Sequence, residues 1–209
     1  MYTNIDSITN KQRELKDFLN SLDPVNTPHI IAITEINAKY SKYPLQESEL
    51  QITGYNLFCS NIGELHYRGV LIYVSTDLLA IELEMCKTFN EHVTINIQDS
   101  NNNLTVSTIY RSPNSCDSND EGLLQLITEI NSYQGNKIFI GDFNFPDINW
   151  VGWIAPDRDT NANKFIRCLR ENFLIQHVEV PTRARGTQNP HTLDLVITNE
   201  HFINDIQFY

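Results

Sequence analysis

The sequence has few cysteines, and their positions exclude several classes of protein. The four cysteines, at positions 59, 86, 116 and 168 of 209 residues, are widely separated and form no C-x-x-C pair. That spacing argues against a disulfide framework or a cysteine-based zinc site, and it favours reduced thiols in an intracellular protein.

Basic residues are also scarce. Lysine and arginine together number 15 against 26 aspartates and glutamates, which gives a formal net charge of −11. General nucleic-acid binders carry a basic stripe, and a chain this acidic does not resemble them. Any contact with nucleic acid must therefore depend on local basic loops and on a bound cation.

Long hydrophobic runs are absent. No apolar run approaches the ~20 residues that span a bilayer, and the N-terminal segment lacks the basic and apolar regions of a signal peptide. There is no internal repeat or linker, while hydrophobic residues make up 41% of the chain. We therefore expect one soluble, monomeric domain over residues 1–209, with no membrane partner.

Apolar patterns along the chain favour an α/β fold. Short apolar or alternating runs predict strands, and 3.6-residue spacing predicts helices. Many paired strands with a few helices between them indicate two sheets packed face to face, with helices outside. The predicted strands cover residues 3–5, 29–34, 54–59, 69–74, 80–84, 93–97, 104–109, 138–140, 176–180 and 193–198, and the helices residues 15–22, 123–130 and 161–172.

The stretch from Lys137 to Asn144 contains the strongest chemical signal. A buried strand ends here in Gly141, Asp142 and Asn144, and ligands of open α/β sheets bind at the carboxyl ends of strands. Asp142 can hold a metal or take a proton, and Asn144 can donate and accept hydrogen bonds around an anion. The alternative is a tight turn, because glycine, aspartate and asparagine all favour turns.

Three further strands end in, or contain, polar residues suited to chemistry. Glu35 follows one apolar strand and Asp194 lies within another; the alternative is that each is solvated, because an unpaired buried acid is costly. Tyr110, Arg111 and Asn114 place a phenol, a guanidinium and an amide after a third strand. The alternative interpretation of these three residues is a plain turn around Ser-Pro-Asn.

Together these stretches resemble the endonuclease/exonuclease/phosphatase superfamily, in the right order and over nearly the whole chain. The segments YTN, RGVLIYV, IYRSPN, GDFN and LDLVITN are most similar to the endonuclease domain of LINE-type (non-LTR) retrotransposons. The resemblance implies a DNase-I-like, four-layered α/β sandwich of two packed mixed β-sheets flanked by helices. It implies a metal ligand in Glu35 and catalytic roles for Asn4, Tyr110, Asp142, Asn144 and Asp194.

The resemblance also implies a reaction. In that reaction Mg²⁺ or Mn²⁺ at Glu35 assists hydrolysis of a phosphodiester, while Asp142 orients or deprotonates the attacking water. Asn144 and Asn4 would hold phosphate oxygens, and Tyr110 would donate to the phosphate or position the nucleophile. The partners implied are DNA and a reverse transcriptase domain covalently linked in the parent chain, which would act in the nucleus and otherwise lie in the cytoplasm.

The loop from Pro181 to His191 concentrates two arginines in an acidic chain. The corresponding hairpin of the retrotransposon enzymes probes the DNA groove, so Arg183 and Arg185 become candidate DNA contacts, as do Arg111 and Asn114 through the phosphate-site motif. The alternative for the loop is a solvated turn with incidental arginines. We interpret Lys39, Lys42 and Arg68 as ordinary surface charges.

The sequence departs from the superfamily at its end. The superfamily finishes with a Ser-Asp-His motif, whereas this sequence stops at Tyr209, and neither His191 nor His201 lies in such a motif. The resemblance therefore implies a fragment that lacks its last strand and catalytic histidine and is inactive or impaired. Two alternatives stay open: a same-fold phosphatase or phosphodiesterase acting on inositol phosphates or lipids, and a catalytically dead remnant that binds nucleic acid or protein.

Overall fold

The computed structural model describes residues 1–9, 11–39, 43–64, 66–85, 87–98, 103–184 and 190–208. Strands and helices alternate along these residues. Chain order gives β1 Tyr2–Asn4, α1 Gln12–Ser21, β2 Ile30–Thr34, β3 Tyr55–Ser60, β4 Val70–Ser75, β5 Leu79–Glu82, β6 His92–Gln98, β7 Leu104–Tyr110, α2 Asp117–Ser132, β8 Asn136–Asp142, α3 Asn161–Glu171, β9 Ile175–Gln176 and β10 Asp194–Thr198.

The strands form two mixed sheets. The first sheet has the order β1-β2-β4-β3, and the second has the order β5-β6-β7-β8-β10-β9. The β1–β2 and β7–β8 pairs are parallel, and the other pairs are antiparallel. The parallel β7–β8 pair is joined through α2, as a parallel connection requires.

Three apolar clusters stack these sheets and the helices into four layers. Alternate residues of β4 face opposite ways, so Val70, Ile72 and Val74 pack between the sheets while Leu71 and Tyr73 pack on the α1 side. The outer face of the second sheet is covered by α2 and α3, with Phe139 and Phe165 in that cluster. This arrangement is the four-layered α/β sandwich predicted from the sequence.

Most predicted elements are confirmed, with one marked difference. The strand predicted at residues 176–180 is only Ile175–Gln176, because the backbone of Val178 is bonded by the side chain of Gln176 and not by a neighbouring strand. The turn-rich residues 99–103 predict a hairpin loop, and all of them except Asn103 lie outside the described residues. Among the described helices, none is long and apolar enough to cross a membrane.

Gly141 controls the approach of β7 to β8. A Cβ built at Gly141 would lie 1.8 Å from the carbonyl oxygen of Ile109, and the glycine has φ +155°. Because only a hydrogen fits there, this glycine lets β8 pair closely with β7 just before Asp142 is reached.

We predict that Gly141→Ala destabilises the fold by about 3 kcal/mol or more, since the added methyl group must push two central strands apart. Urea unfolding followed by circular dichroism measures this. Gly152→Ala is the matched control, because a Cβ there meets only ordinary contacts, the nearest at 3.4 Å. Equal unfolding free energies for the two variants would contradict the steric explanation.

Candidate active site

The first strand delivers two polar side chains to the second sheet. Tyr2 and Asn4 are two residues apart in β1, so both project from the same face. The Tyr2 hydroxyl donates to Asp194 Oδ1 at 2.7 Å and lies 3.0 Å from the Thr34 hydroxyl. Because Asp194 pairs in register with Asp142, β1 lies across the acidic ends of β8 and β10.

Asn4 joins the two sheets at this point. Its Nδ2 donates to Glu35 Oε1 at 2.6 Å and to Asp142 Oδ2 at 2.9 Å. Glu35 directly follows β2 of the first sheet, and Asp142 ends β8 of the second. A single amide therefore holds two carboxylates from separate sheets, and the predicted site residues Asn4, Glu35, Asp142 and Asp194 lie together.

Asp142 is fully buried, and its surroundings change its acidity. Burial, followed by the charge of Asp194, raises the pKa of Asp142 to about 7. Arg183 and the Asn4 amide act in the opposite direction. A carboxyl group with a pKa near neutrality can exchange a proton with water at physiological pH.

Glu35 is held by an arginine that the sequence did not indicate. Arg68 Nη2 lies 2.7 Å from Glu35 Oε2 and 2.6 Å from Asp6 Oδ1, and the Arg68 side chain is only 13% exposed. The interpretation of Arg68 as an ordinary surface charge is therefore wrong, because burial beside two carboxylates fixes the guanidinium in place. Lys39 is exposed, and Lys42 lies outside the described residues.

Glu91, a half-buried acid, fixes the turn that carries Arg68. Glu91 Oε1 accepts the backbone N–H of Arg68 at 2.7 Å. Burial raises the pKa of Glu91 to about 7, although the backbone N–H groups of Arg68 and Gly69 oppose the change. Glu91 thus positions Arg68, which in turn positions Glu35. Neither contact has a signal in the sequence.

Arg183 approaches both carboxylates from the loop that precedes β10. Its Nη2 lies 3.5 Å from Asp142 Oδ2 and 3.7 Å from Glu35 Oε1, and its side chain is 31% exposed. An isolated bridge to His191 holds the backbone of Arg183. The candidate DNA contact Arg183 is thus part of the site, while Arg185 lies outside the described residues.

The structure places the Arg111 side chain in a buried ion pair with Asp120. Its Nε and Nη2 lie 2.7 and 2.8 Å from the two carboxylate oxygens of Asp120, and its guanidinium carbon lies 4.0 Å from the Phe145 ring centroid. Its Nη1 donates to the Asn144 carbonyl at 2.7 Å, and Asn144 Nδ2 donates to the Arg111 carbonyl at 2.7 Å. Since the Asn144 N–H also donates to Asp142 Oδ1 at 3.2 Å, these contacts fix the segment that carries Asp142.

The two remaining residues of the predicted phosphate-site motif, Tyr110 and Asn114, lie in different surroundings. Tyr110 ends β7 opposite Asp142 in the parallel register. Burial, with the charges of Glu35 and Asp142, raises the pKa of Tyr110, so its hydroxyl stays protonated and able to donate. Asn114 lies on an exposed turn, where its backbone N–H donates to Ser112 Oγ at 3.3 Å.

The donor atoms suit a hard divalent cation. Glu35, Asp142 and Asn4 offer only oxygen ligands, and Mg²⁺ is commonly bound through one or two carboxylates while it keeps several waters. Among the described residues, no group of three or more His, Cys, Asp or Glu side chains is arranged to hold a metal ion. The oxygen atoms of Glu35, Asp142 and Asn4 could hold Mg²⁺ or Mn²⁺, and oxygen atoms alone do not make the sulfur and nitrogen ligand set of a structural zinc site.

Comparison with known protein families gives one match. A family model described as endonuclease-reverse transcriptase matches residues 104–208. None of the curated protein sequences compared matches the chain.

Solved structures share the fold at low identity. The endonuclease domain of TRAS1, a telomere-specific non-LTR retrotransposon, has a TM-score of 0.66 at 18% identity, with 95% of this chain and 84% of that chain covered. The catalytic domain of Xenopus laevis APE2 gives 0.63 at 15% identity (95% and 81% covered). The 3′ phosphatase NExo from Neisseria, bound to a product DNA hairpin, gives 0.59 at 16% (94% and 84%). These likenesses confirm the predicted DNase-I-like fold.

The raised pKa of Glu91 leads to a pH prediction. The unfolded chain loses the Glu91 proton near the ordinary value of 4.5, and the folded chain keeps it until about 7. This group therefore stabilises the fold most at low pH, and its contribution falls as pH rises between those values. We therefore compare the unfolding free energy of wild type with that of Glu91→Gln. As pH rises from about 4.5 to about 8, wild type should lose about 2 kcal/mol more than the variant, a value reduced for the partial exposure of Glu91.

Urea unfolding of both proteins at several pH values measures this difference. Glu14→Gln on the exposed face of α1 is the control and should follow wild type at every pH. A constant gap between wild type and Glu91→Gln would show that Glu91 titrates alike in the folded and unfolded chains.

Proposed function

The chain belongs to the endonuclease-reverse transcriptase family, and from that premise we propose that it is a Mg²⁺-dependent phosphodiesterase that nicks DNA. The observation that carries the proposal is the Asn4 amide, which donates to Glu35 and Asp142 at 2.6 and 2.9 Å. That contact brings a hard-cation ligand and a titratable base to the same amide, between the two sheets.

The cation would be held by Glu35, with Asp142 beside it, and Mn²⁺ could replace Mg²⁺ because both prefer oxygen ligands. When bound, it supplies neutralisation of the phosphodiester charge and of the charge that develops on the leaving oxygen. Arg68 neutralises part of the Glu35 charge through Oε2 at 2.7 Å. The other oxygen of Glu35, Oε1, accepts from Asn4, which also donates to Asp142.

Asp142 is the proposed general base. Its pKa of about 7 allows it to accept a proton from an attacking water near neutral pH and to release it afterwards. The buried Tyr110 hydroxyl, kept protonated by its raised pKa, donates to a phosphate oxygen or positions the water. Asp194, held by Tyr2, keeps the Asp142 pKa high, and Asn4 orients Asp142. A direct phosphate contact by Asn4 stays a prediction, because both of its amide hydrogens are engaged with carboxylates.

Two of the remaining predicted site residues, Arg183 and Asn114, are proposed to contact the nucleic acid. Arg183 is partly exposed beside the carboxylates, so its guanidinium can turn to a DNA phosphate. Asn114 lies on an exposed turn after β7 and is proposed to contact the flanking phosphate. Arg111 and Asn144, whose side chains are engaged with each other's backbone, hold the β8 end in place. A direct phosphate contact by Asn144 stays a prediction.

The wider setting is proposed from the same family membership. We propose that the domain is monomeric, is linked to a reverse transcriptase in its parent chain, and acts on DNA in the nucleus, being otherwise cytoplasmic. That NExo was solved with a product DNA hairpin supports DNA as the substrate class.

We predict that the protein nicks supercoiled plasmid with Mg²⁺ and that Asp142→Ala lowers the nicking rate by about 10²- to 10⁴-fold, as expected for loss of a general base. Gel electrophoresis of relaxed and supercoiled plasmid measures the rate. Asp17→Ala is the control. Asp17 is exposed on α1, outside the carboxylate cluster, so this variant should nick like wild type.

Each alternative gives a different result. Dephosphorylation of inositol phosphates without any nicking would favour the same-fold phosphatase, and DNA binding without hydrolysis would favour a catalytically dead remnant. The same assay compares the chain ending at Tyr209 with one extended through the predicted Ser-Asp-His motif. We expect faster nicking from the extended chain, because active-site groups that act together are strongly non-additive.

A further inference from the structure

A basic groove lies outside the carboxylate cluster, between α3 and the segment that precedes it. The groove has a volume of about 350 Å³. Four of the 15 lysines and arginines of this acidic chain fall within the groove-lining residues 158–170. They are Arg158, Lys164, Arg167 and Arg170, accompanied by one acid, Asp159.

The positive charge of this groove is weakly neutralised. Lys164 and Arg167 each pair with one carboxylate of α2 or α3, at 3.9 and 3.7 Å; both pairs are partly or fully exposed, and such pairs contribute little. Arg170 donates to a neutral backbone carbonyl, that of Trp153, at 3.0 Å. Among the described residues, neither Arg158 nor Arg170 forms a salt bridge. The groove therefore keeps charge available for an anionic partner.

The groove begins at the active-site end of the sandwich. Asn161, the first residue of α3, donates to Asp117 Oδ1, the first residue of α2, at 2.9 Å. The α2 helix follows closely on β7, which ends beside Asp142. The other wall of the groove is the segment that leaves the site after Asn144, and Asn163 Nδ2 donates to the carbonyl of Ala155 in that segment at 3.3 Å.

The cations are spaced as a row, which suits a polymer with regular charges. Lys164, Arg167 and Arg170 follow one another at intervals of three along α3, so they lie on neighbouring turns of one side of the helix. From Lys164 to Arg170 the row extends over six residue steps of α3, about 9 Å, a length that covers about three phosphates of one B-DNA strand.

We propose that this groove binds the phosphate backbone of the DNA duplex that flanks the cleaved bond. The inference rests on the proposed function, because it assumes that DNA reaches the carboxylate cluster. It adds a second contact region, made of arginines that carry no catalytic role, and it explains how a chain with a net charge of −11 can hold a polyanion. Binding there is through phosphates, so it is independent of base sequence.

The test is DNA binding at a series of salt concentrations. A fluorescent duplex of about 30 base pairs is titrated with the protein in the presence of a chelator, to prevent cleavage, and binding is followed by anisotropy. The triple variant Arg158→Ala, Arg167→Ala, Arg170→Ala should lower the slope of log K against log salt by about 2 to 3, since each lost phosphate contact removes about 0.9. The control triple Arg13→Ala, Lys16→Ala, Lys87→Ala removes the same charge elsewhere and should keep the wild-type slope.

Arg170 also contacts Trp153, so the double variant Arg158→Gln, Arg167→Gln tests the groove with that contact intact and should lower the slope by about 2. An equal change in slope for groove and control variants would overturn the proposal, because it would assign the effect to net charge alone. An unchanged DNA slope with lost binding of a poly-glutamate peptide would assign the groove to an acidic protein segment and would also overturn it. Absence of DNA binding by wild type would instead contradict the proposed function.

Discussion

The site depends on the burial of two carboxylates beneath one asparagine amide. Glu35 and Asp142 are both buried, and like charges in a medium of low dielectric constant repel each other. The Asn4 amide, at 2.6 and 2.9 Å, bonds to both. Because the two acids come from different sheets, this contact forms only when the sheets pack in one register. The chemistry of the site is thus linked to the packing of the whole sandwich.

Burial decides what each arginine near the site does. Arg111 is 7% exposed and is held by Asp120, so it stabilises the β8 end. Arg68 is bonded to Glu35 and fixes that carboxylate. Arg183, at 31% side-chain exposure and with longer contacts, is the one of these three that can turn toward a ligand. Glu35 and Asn144 also adopt positive φ values, 58° and 47°, and non-glycine residues in that conformation are uncommon and cluster at functional sites.

Local patterns in the sequence predicted most of the fold and the strand ends that carry the site. Apolar runs identified β2, β4 and β8, and the polar residues at the ends of β2 and β8 identified Glu35 and Asp142, since both signals lie in consecutive residues. Arg68 was missed because its partners, Asp6 and Glu35, are distant in sequence. Tyr2 was missed as well, although its two-residue spacing from Asn4 within a strand was a usable signal. The length of β9 depended on one side-chain bond to the backbone, which no periodicity encodes.

The central claim is that Glu35 and Asp142 belong to one cation site closed by Asn4. Isothermal titration with Mg²⁺ tests it directly on wild type, Glu35→Gln and the exposed control Glu14→Gln. Glu35→Gln keeps the shape of the side chain and removes one ligand charge. We expect it to weaken Mg²⁺ binding by about tenfold or more, roughly 1.4 kcal/mol, while Glu14→Gln binds like wild type. Equal affinity of Glu35→Gln and wild type for Mg²⁺ would contradict the account.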